Sequence, residues 1–238
     1  MLPKRRRTRA HDRAQRIATE RRHNHNARIA NREKRLSYFD RPNPHRRRRA
    51  LAFWVVQDSQ MRLELPQLAA EDHTCDVCDM VYQRISVDDA VTAIADLPAA
   101  VREAVLGIPP EARRWRPSPQ VWSVAEYVCH LRDVYMSFTI RLHRARKEDC
   151  PAVEPMFNDL RARRFRYNDC DLAATLAELA AAASGFCEEV ARMKDRDWDR
   201  VITRLPDEQR TARWLVRQAM HEGIHHLGDI RRIASLSG

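Results

Sequence analysis

No apolar run in this chain approaches the roughly 20 residues that a bilayer-spanning helix requires, so a helical membrane span is excluded. No apolar segment follows the charges of the N-terminus either; a secretory signal is not expected, and the chain reads as cytoplasmic with no membrane partner. Cysteine is sparse, 6 residues in 238, which is no disulfide framework; free thiols or metal ligands are the expectation. Glycine is scarcer still, at 5 residues, and no internal repeat is visible. A hydrophobic content of 44% nevertheless suffices for one substantial globular domain with residues to spare.

The body of the chain also lacks the positive charge that the formal total of +10 suggests. Residues 1–50 hold 18 Lys and Arg against the four acids Asp12, Glu20, Glu33 and Asp40, leaving 25 basic against 29 acidic side chains over the rest. The basicity therefore belongs to a tail, from KRRRTR at 4–9 to HRRRR at 45–49, and the remainder is mildly acidic. With few large apolar residues and no sustained helical stripe, residues 1–60 are expected to be disordered when alone. Two readings follow: an arm that neutralises the phosphates of nucleic acid non-specifically through residues 1–50, or a stretch without a folded role. In the second, the natural start is Met61, where composition turns ordinary, and residues 61–85 form a lead-in containing the Cys-x-x-Cys motif CDVC.

From residue 86 onward the pattern is helical, with polar loops between. Ser86, with Asp89 three residues on, is the expected cap of a helix whose Val91, Ile94, Leu97, Val101 and Val105 recur at helical spacing; Pro98 is expected to kink or divide it. Four prolines make residues 109–122 a loop that Trp115 and Trp122 can pack down. Ser123 and Glu126 form an S-x-x-E capping box, and the helix they open has a broad apolar face of Val124, Tyr127, Val128, Leu131, Val134, Tyr135 and Phe138, with His130 inside it. Residues 147–168 read as a charged crossover, and 171–193 as an alanine-rich helix capped by Asp171. A short hairpin or a loop around Pro206 and Asp207 precedes a last helix from Thr211 to about Leu236. Four main helices make residues 86–238 an all-α four-helix bundle.

The last helix carries AMHEGIHHLGDIRRI, three histidines within six positions. His221 and His225 are four residues apart and share one face, with Cβ atoms about 5–6 Å from each other. Glu222 and His226 form a second such pair, rotated by about 100°; only one pair is expected to face the bundle axis. Trp214, Gln218, His221 and His225 lie along one stripe with Asp229 at its edge, and Leu215, Ala219, Glu222 and His226 along another. A lone histidine on an apolar face, such as His130, is more often a satisfied core residue than a ligand. One such residue together with an i, i+4 pair on another helix supplies three imidazoles that a bundle can converge on an ion.

WSVAEYVCHLRD, at 122–133, followed by MHEGIHHLGDI, at 220–230, resembles the DinB-like superfamily, which includes the YfiT-like metal-dependent hydrolases, mycothiol- or bacillithiol-dependent transferases and maleylpyruvate isomerases. The similarity covers about residues 86–235. It implies an up-down-down-up bundle with a long crossover, and a divalent metal held by one histidine of the second helix and two of the last. Carried over, it nominates His130, His221 and His225, with His130, Glu222 and His226 as the alternative register.

Three neutral imidazoles would leave an ion its full charge and an open coordination position, as catalytic sites require. A bound water or thiol would then be a nucleophile at neutral pH, so the expected activity is that of a thiol-dependent transferase or a hydrolase acting on a small molecule. Asp229 is the candidate for a catalytic role, orienting an imidazole or moving a proton; a surface pairing with Arg232 is the plainer reading, and Asp133 stands in the same position. Zinc, nickel, iron and copper all suit the ligands, and a low-molecular-weight thiol such as mycothiol is the implied co-substrate, with Arg132, Arg217 and Arg231 able to steer its charge. CDVC, at 75–78, is half of a zinc knuckle that His73 and a distant thiol would have to complete, or else a pair of free thiols. Cys129 points away from His130 and reads as a small buried hydrophobe, and Cys150, Cys170 and Cys187 have no basic partner at a telling spacing. The contrasting expectations are a non-catalytic metal or small-molecule binding bundle and a nucleic-acid protein acting through its tail; an alanine-rich bundle is also compatible with a homodimer.

Overall fold

The computed structural model describes residues 67–205 and 207–236. The arginine-rich stretch of residues 1–60, with its nucleic-acid reading and the alternative start at Met61, lies outside the described residues. Among the described residues there are four long α-helices and one short one: α1 (Val87–Leu106), α2 (Val124–Lys147), the short α3 (Asn158–Arg164), α4 (Leu172–Val190) and α5 (Ala212–Leu236). Each of the first two long helices begins where the sequence supplies a cap. The Ser86 hydroxyl accepts from the Asp89 N–H at 3.0 Å. At α2 the capping box is complete: Ser123 accepts from Glu126 N–H (3.2 Å), and the Glu126 carboxylate accepts from Ser123 N–H (2.9 Å). Asp171 caps α4 through the N–H groups of Ala173 and Ala174. Pro98 neither divides nor ends α1, which runs through it from Val87 to Leu106.

Side-chain contacts fix the order and direction of the bundle. α1 and α2 each pack against both α4 and α5, so consecutive helices α1 and α2 occupy opposite corners. Arg217 near the start of α5 donates to the Ile85 carbonyl just ahead of α1 (3.0 Å), and Gly223 further along backs onto Leu97, so these two helices run parallel. His226 stacks near Tyr127 while Tyr135 donates to the Ala219 carbonyl, so α2 runs antiparallel to α5. Arg132 reaches Glu178 and Arg146 reaches Glu189, which makes α2 and α4 parallel. The result is the up-down-down-up arrangement, and two parallel neighbours in sequence demand the long crossover of residues 148–171 that the charge-rich connection suggested.

The crossover is anchored from within the bundle. Asp133, buried on α2, accepts hydrogen bonds from Arg161 on α3 (2.5 Å), from the Tyr167 hydroxyl and from Arg132 (2.9 Å). Cys129 is buried beside Tyr167 and Ala162, the small-hydrophobe role expected of it. Ahead of α5, β1 (Val201–Thr203) and β2 (Gln209–Thr211) pair antiparallel, so of the hairpin and loop readings the structure takes the hairpin. This hairpin holds the lead-in: Arg210 donates to the carbonyls of Leu68 and Ala69, Glu71 accepts from Thr211 N–H (2.7 Å), and the Trp214 indole donates to Ala70 O (3.2 Å).

The core contains Tyr82, Tyr135, Phe186, Leu179 and Trp214, all fully buried. At Gly223 a Cβ would stand 2.5 Å from both Leu97 Cδ2 and Tyr135 Oη. A side-chain-free position there brings α5 close to α1 and α2 at the turn that carries the histidines.

Candidate metal centre

Two clusters of ligating atoms form around that turn of α5, one on each side of the helix. On the side facing α2, His130 (2% exposed) meets Glu222 and His226. His130 Nε2 lies 3.1 Å from Glu222 Oε2, and His226 Nε2 lies 3.3 Å from the same oxygen. One donor atom from each of the three side chains lies within 4.8 Å of the others. The second Glu222 oxygen is held by the Gln218 amide, which donates at 2.7 Å. The His226 Nδ1–H donates to Asp229 Oδ2 at 2.7 Å, which turns the ring's Nε2 toward Glu222.

Electrostatics follow this geometry. Burial alone would raise the Glu222 carboxyl, but hydrogen bonds from His130 and His226 outweigh it and hold Glu222 well below the ordinary carboxylate range. Burial works against charge on His226 as well, yet Asp229 and Glu222 together push it up to about 9. His130, enclosed by α2 and α5 and edge-on to the Trp122 ring, is pushed down by its burial. Two imidazoles and one ionised carboxylate fit a divalent transition ion: the set suits zinc, iron or nickel, and its three ligands leave a further position open.

His221 and His225 face the other way. Their partners are Cys75 and Cys78 of the lead-in, with Cys75 Sγ 3.6 Å from His225 Nδ1. The structure therefore does not group the nominated His130 with His221 and His225. It brings His130 to the alternative register, Glu222 and His226. The cause is the roughly 100° between adjacent helical positions: α2 covers the 222/226 face of α5, and the lead-in covers the 221/225 face. One pair alone, Glu222 and His226, faces a helix of the bundle, as expected, and the other pair faces the lead-in. Asp229 sits between the two faces, 2.7 Å from His226 Nδ1 and 3.9 Å from His225 Nε2, and also pairs with Arg232, so it contacts both an imidazole of the cluster and the surface arginine.

The other residues singled out in the sequence are placed as follows. Asp133 ties down the crossover. Arg132 pairs with Asp133 and Glu178, Arg217 bonds the Ile85 carbonyl, and Arg231 is exposed. Two contributors escaped sequence reasoning. Gln218 orients Glu222, and its place on the histidine stripe was the available signal. Arg141 lines a cavity of about 140 Å³ together with His130, Glu222, Gln218, Phe138 and Met156. Its guanidinium is buried, stacks over the Phe138 ring at 5.1 Å and donates to the Glu154 carbonyl at 2.5 Å. Burial, then the charge of Arg204, pulls it down to about 10, still cationic at neutral pH. Among the described residues no carboxylate pairs with it.

Fold and site together define a class: an up-down-down-up helical bundle with a cluster of two histidines and a glutamate between its second and last long helices. The chain belongs to the DinB superfamily, whose sequence profile matches residues 93–230. It is 27% identical over 160 residues to a protein of Geobacillus thermodenitrificans (strain NG80-2) named "Putative metal-dependent hydrolase", covering 66% of this chain and 89% of that one. Among solved structures it resembles YfiT from Bacillus subtilis, described as "a probable metal-dependent hydrolase with an unusual four-helix bundle topology". The TM-score is 0.61 at 18% identity, over 73% of this chain and 95% of YfiT. A mycothiol-dependent maleylpyruvate isomerase shares the fold more loosely, with a TM-score of 0.52 at 10% identity over 63% of each chain. No helix among the described residues is long and apolar enough to cross a membrane.

Proposed function

We propose that this chain is a metal-dependent hydrolase acting on a small anionic substrate, with the ion held by His130, Glu222 and His226. The observation that carries the reading is the convergence of those three side chains, two of which, His130 and Glu222, line a cavity that also contains the buried Arg141 cation. A divalent ion in such a site supplies Lewis acidity and lowers the pKa of a water or thiol at its open position toward about 7. Glu222 reduces the net charge of the site by one unit relative to three imidazoles. Gln218 holds one of its oxygens so that the other faces the two rings. Asp229 fixes the protonated nitrogen of His226 as Nδ1 and is a positioning residue. Arg141, already stripped of water and without a carboxylate partner, provides a charge-assisted contact for a substrate carboxylate or phosphate. Arg141 suits an anionic low-molecular-weight thiol equally well, which favours thiol transfer as the second reading.

The experiment measures metal content and kinetics together. Wild-type protein purified without chelator is expected to carry a transition metal at this site, and His130→Ala and Glu222→Ala to lose it. Arg141→Met is expected to keep the metal and to raise KM at least tenfold for hydrolysis of anionic esters or amides, with neutral analogues unaffected. Transfer of a small thiol to an electrophile, with no hydrolysis, would select the second reading. Full metal retention by His130→Ala and Glu222→Ala would overturn both.

A further inference from the structure

The Cys-x-x-Cys motif sits on a tight turn ahead of α1. Cys75 N–H donates to the Met80 carbonyl and Tyr82 N–H to the His73 carbonyl, both at 2.9 Å, and Asp79, directly after the second cysteine, lies in the left-handed region at φ 55°. The turn presents both cysteines to α5, where one donor atom from each of Cys75, Cys78, His221 and His225 lies within 4.8 Å of the other three. Zinc–sulfur and zinc–nitrogen bonds of about 2.3 and 2.0–2.1 Å place tetrahedral ligands roughly 3.3–3.8 Å apart. The 3.6 Å between Cys75 Sγ and His225 Nδ1 already falls in that range.

A second observation is independent of this clustering. The Tyr82 hydroxyl donates its one proton to Gln218 Oε1 (2.5 Å), whose amide is oriented by donation to Glu222. Tyr82 can therefore only accept from His221 Nδ1, 2.8 Å away, which puts the imidazole proton on Nδ1. His221 Nε2 is left with a bare lone pair, and it is the buried side-chain nitrogen that lacks a hydrogen-bond partner among the described residues. An unsatisfied buried polar atom costs roughly 1–3 kcal/mol, a cost that coordination to an ion removes.

We propose that Cys75, Cys78, His221 and His225 form a second metal site, a closed Cys2His2 zinc site that staples the lead-in to α5 one helical register away from the His130, Glu222, His226 centre. Two thiolates and two neutral imidazoles cancel the charge of the ion, and four protein ligands leave no position for substrate, so the role is structural. The spacings, C-x2-C on a turn and H-x3-H on a helix, are those that let each pair reach one ion.

Cobalt(II), added to the metal-stripped full-length protein, is the probe. A thiolate-to-cobalt charge-transfer absorption in the near ultraviolet is expected in wild type and in His130→Ala, and its loss in the Cys75→Ser, Cys78→Ser double variant. Loss of the His130 centre leaves this signal in place, so failure of one site is distinguishable from failure of the other. Alkylation of wild type guards against a variant that does not fold: iodoacetamide should modify Cys75 and Cys78 at least tenfold more slowly in zinc-loaded protein than after chelation. No thiolate band with cobalt, together with equal alkylation rates with and without zinc, would overturn the proposal.

Discussion

Aspartate 229 illustrates how little of a side chain's role lies in its own chemistry. Its carboxylate accepts from His226 Nδ1–H, so it is the other nitrogen, the one facing Glu222, that would give up its proton and offer a lone pair to an ion. Asn at this position could offer its amide N–H to the same nitrogen and favour the opposite tautomer. Asp229→Asn is therefore expected to weaken metal binding at the His130 centre by about 10–100-fold, the usual effect of losing such a support. Competition against a chelator of known affinity reads this directly, and an unchanged affinity would remove Asp229 from the site. The residues nominated from the sequence, His130, His221, His225 and Asp229, all stand in or beside a cluster of side chains able to hold a metal. Their grouping was not legible. Residues 221 and 222 start pairs of identical spacing that differ only by rotation about the helix, and which pair meets α2 is decided by tertiary contacts such as those of Gly223. Arg141 was lost among 43 basic residues because composition carries no information on which one is buried.

Among the elements, the helices were the most readable, since Ser86, Ser123 and Asp171 are caps with a local mechanism and need no tertiary context. The crossover was readable only as a length. What fixes it is Asp133, whose carboxyl burial would raise but which Tyr167, Arg161 and Arg132 bring below its ordinary 3.8. A folded-state value below the unfolded one stabilises the protein fully above the unfolded pKa, and that stabilisation is lost as pH falls through the folded value. Melting temperature should therefore lose this contribution only below about pH 4. Asp133→Asn should melt lower at neutral pH and show a shallower acid limb, and parallel curves for the two proteins would contradict the assignment. The approach of α5 to its neighbours gives another expectation. Gly223→Ala gains up to about 1 kcal/mol of helix propensity. It also forces a methyl against Leu97 and Tyr135, both fully buried, at a cost of roughly 1–3 kcal/mol. Net destabilisation is expected in urea unfolding, and a more stable variant would show that the helices can separate without loss.

At the scale of the whole domain, the order of helices brings the second and last long helices together as neighbours, although 64 positions separate the end of one from the start of the other. That closure puts His130 beside Glu222, and the hairpin and Glu71 bring the lead-in back to the start of α5. One stretch, from Gln218 to Asp229, then serves both faces: His221 and His225 on one, Glu222 and His226 on the other, with Tyr82 and Gln218 in a hydrogen-bond chain between them. Shared ordering of this kind has a thermodynamic consequence. An ion bound on either face restrains the same three turns of helix, so the second ion meets a segment whose conformational freedom has already been reduced. On the proposal of two ion sites, their occupancies would be linked with positive cooperativity, reciprocal by necessity, and amide exchange across Gln218–Asp229 should slow with the first equivalent of metal rather than in two independent steps.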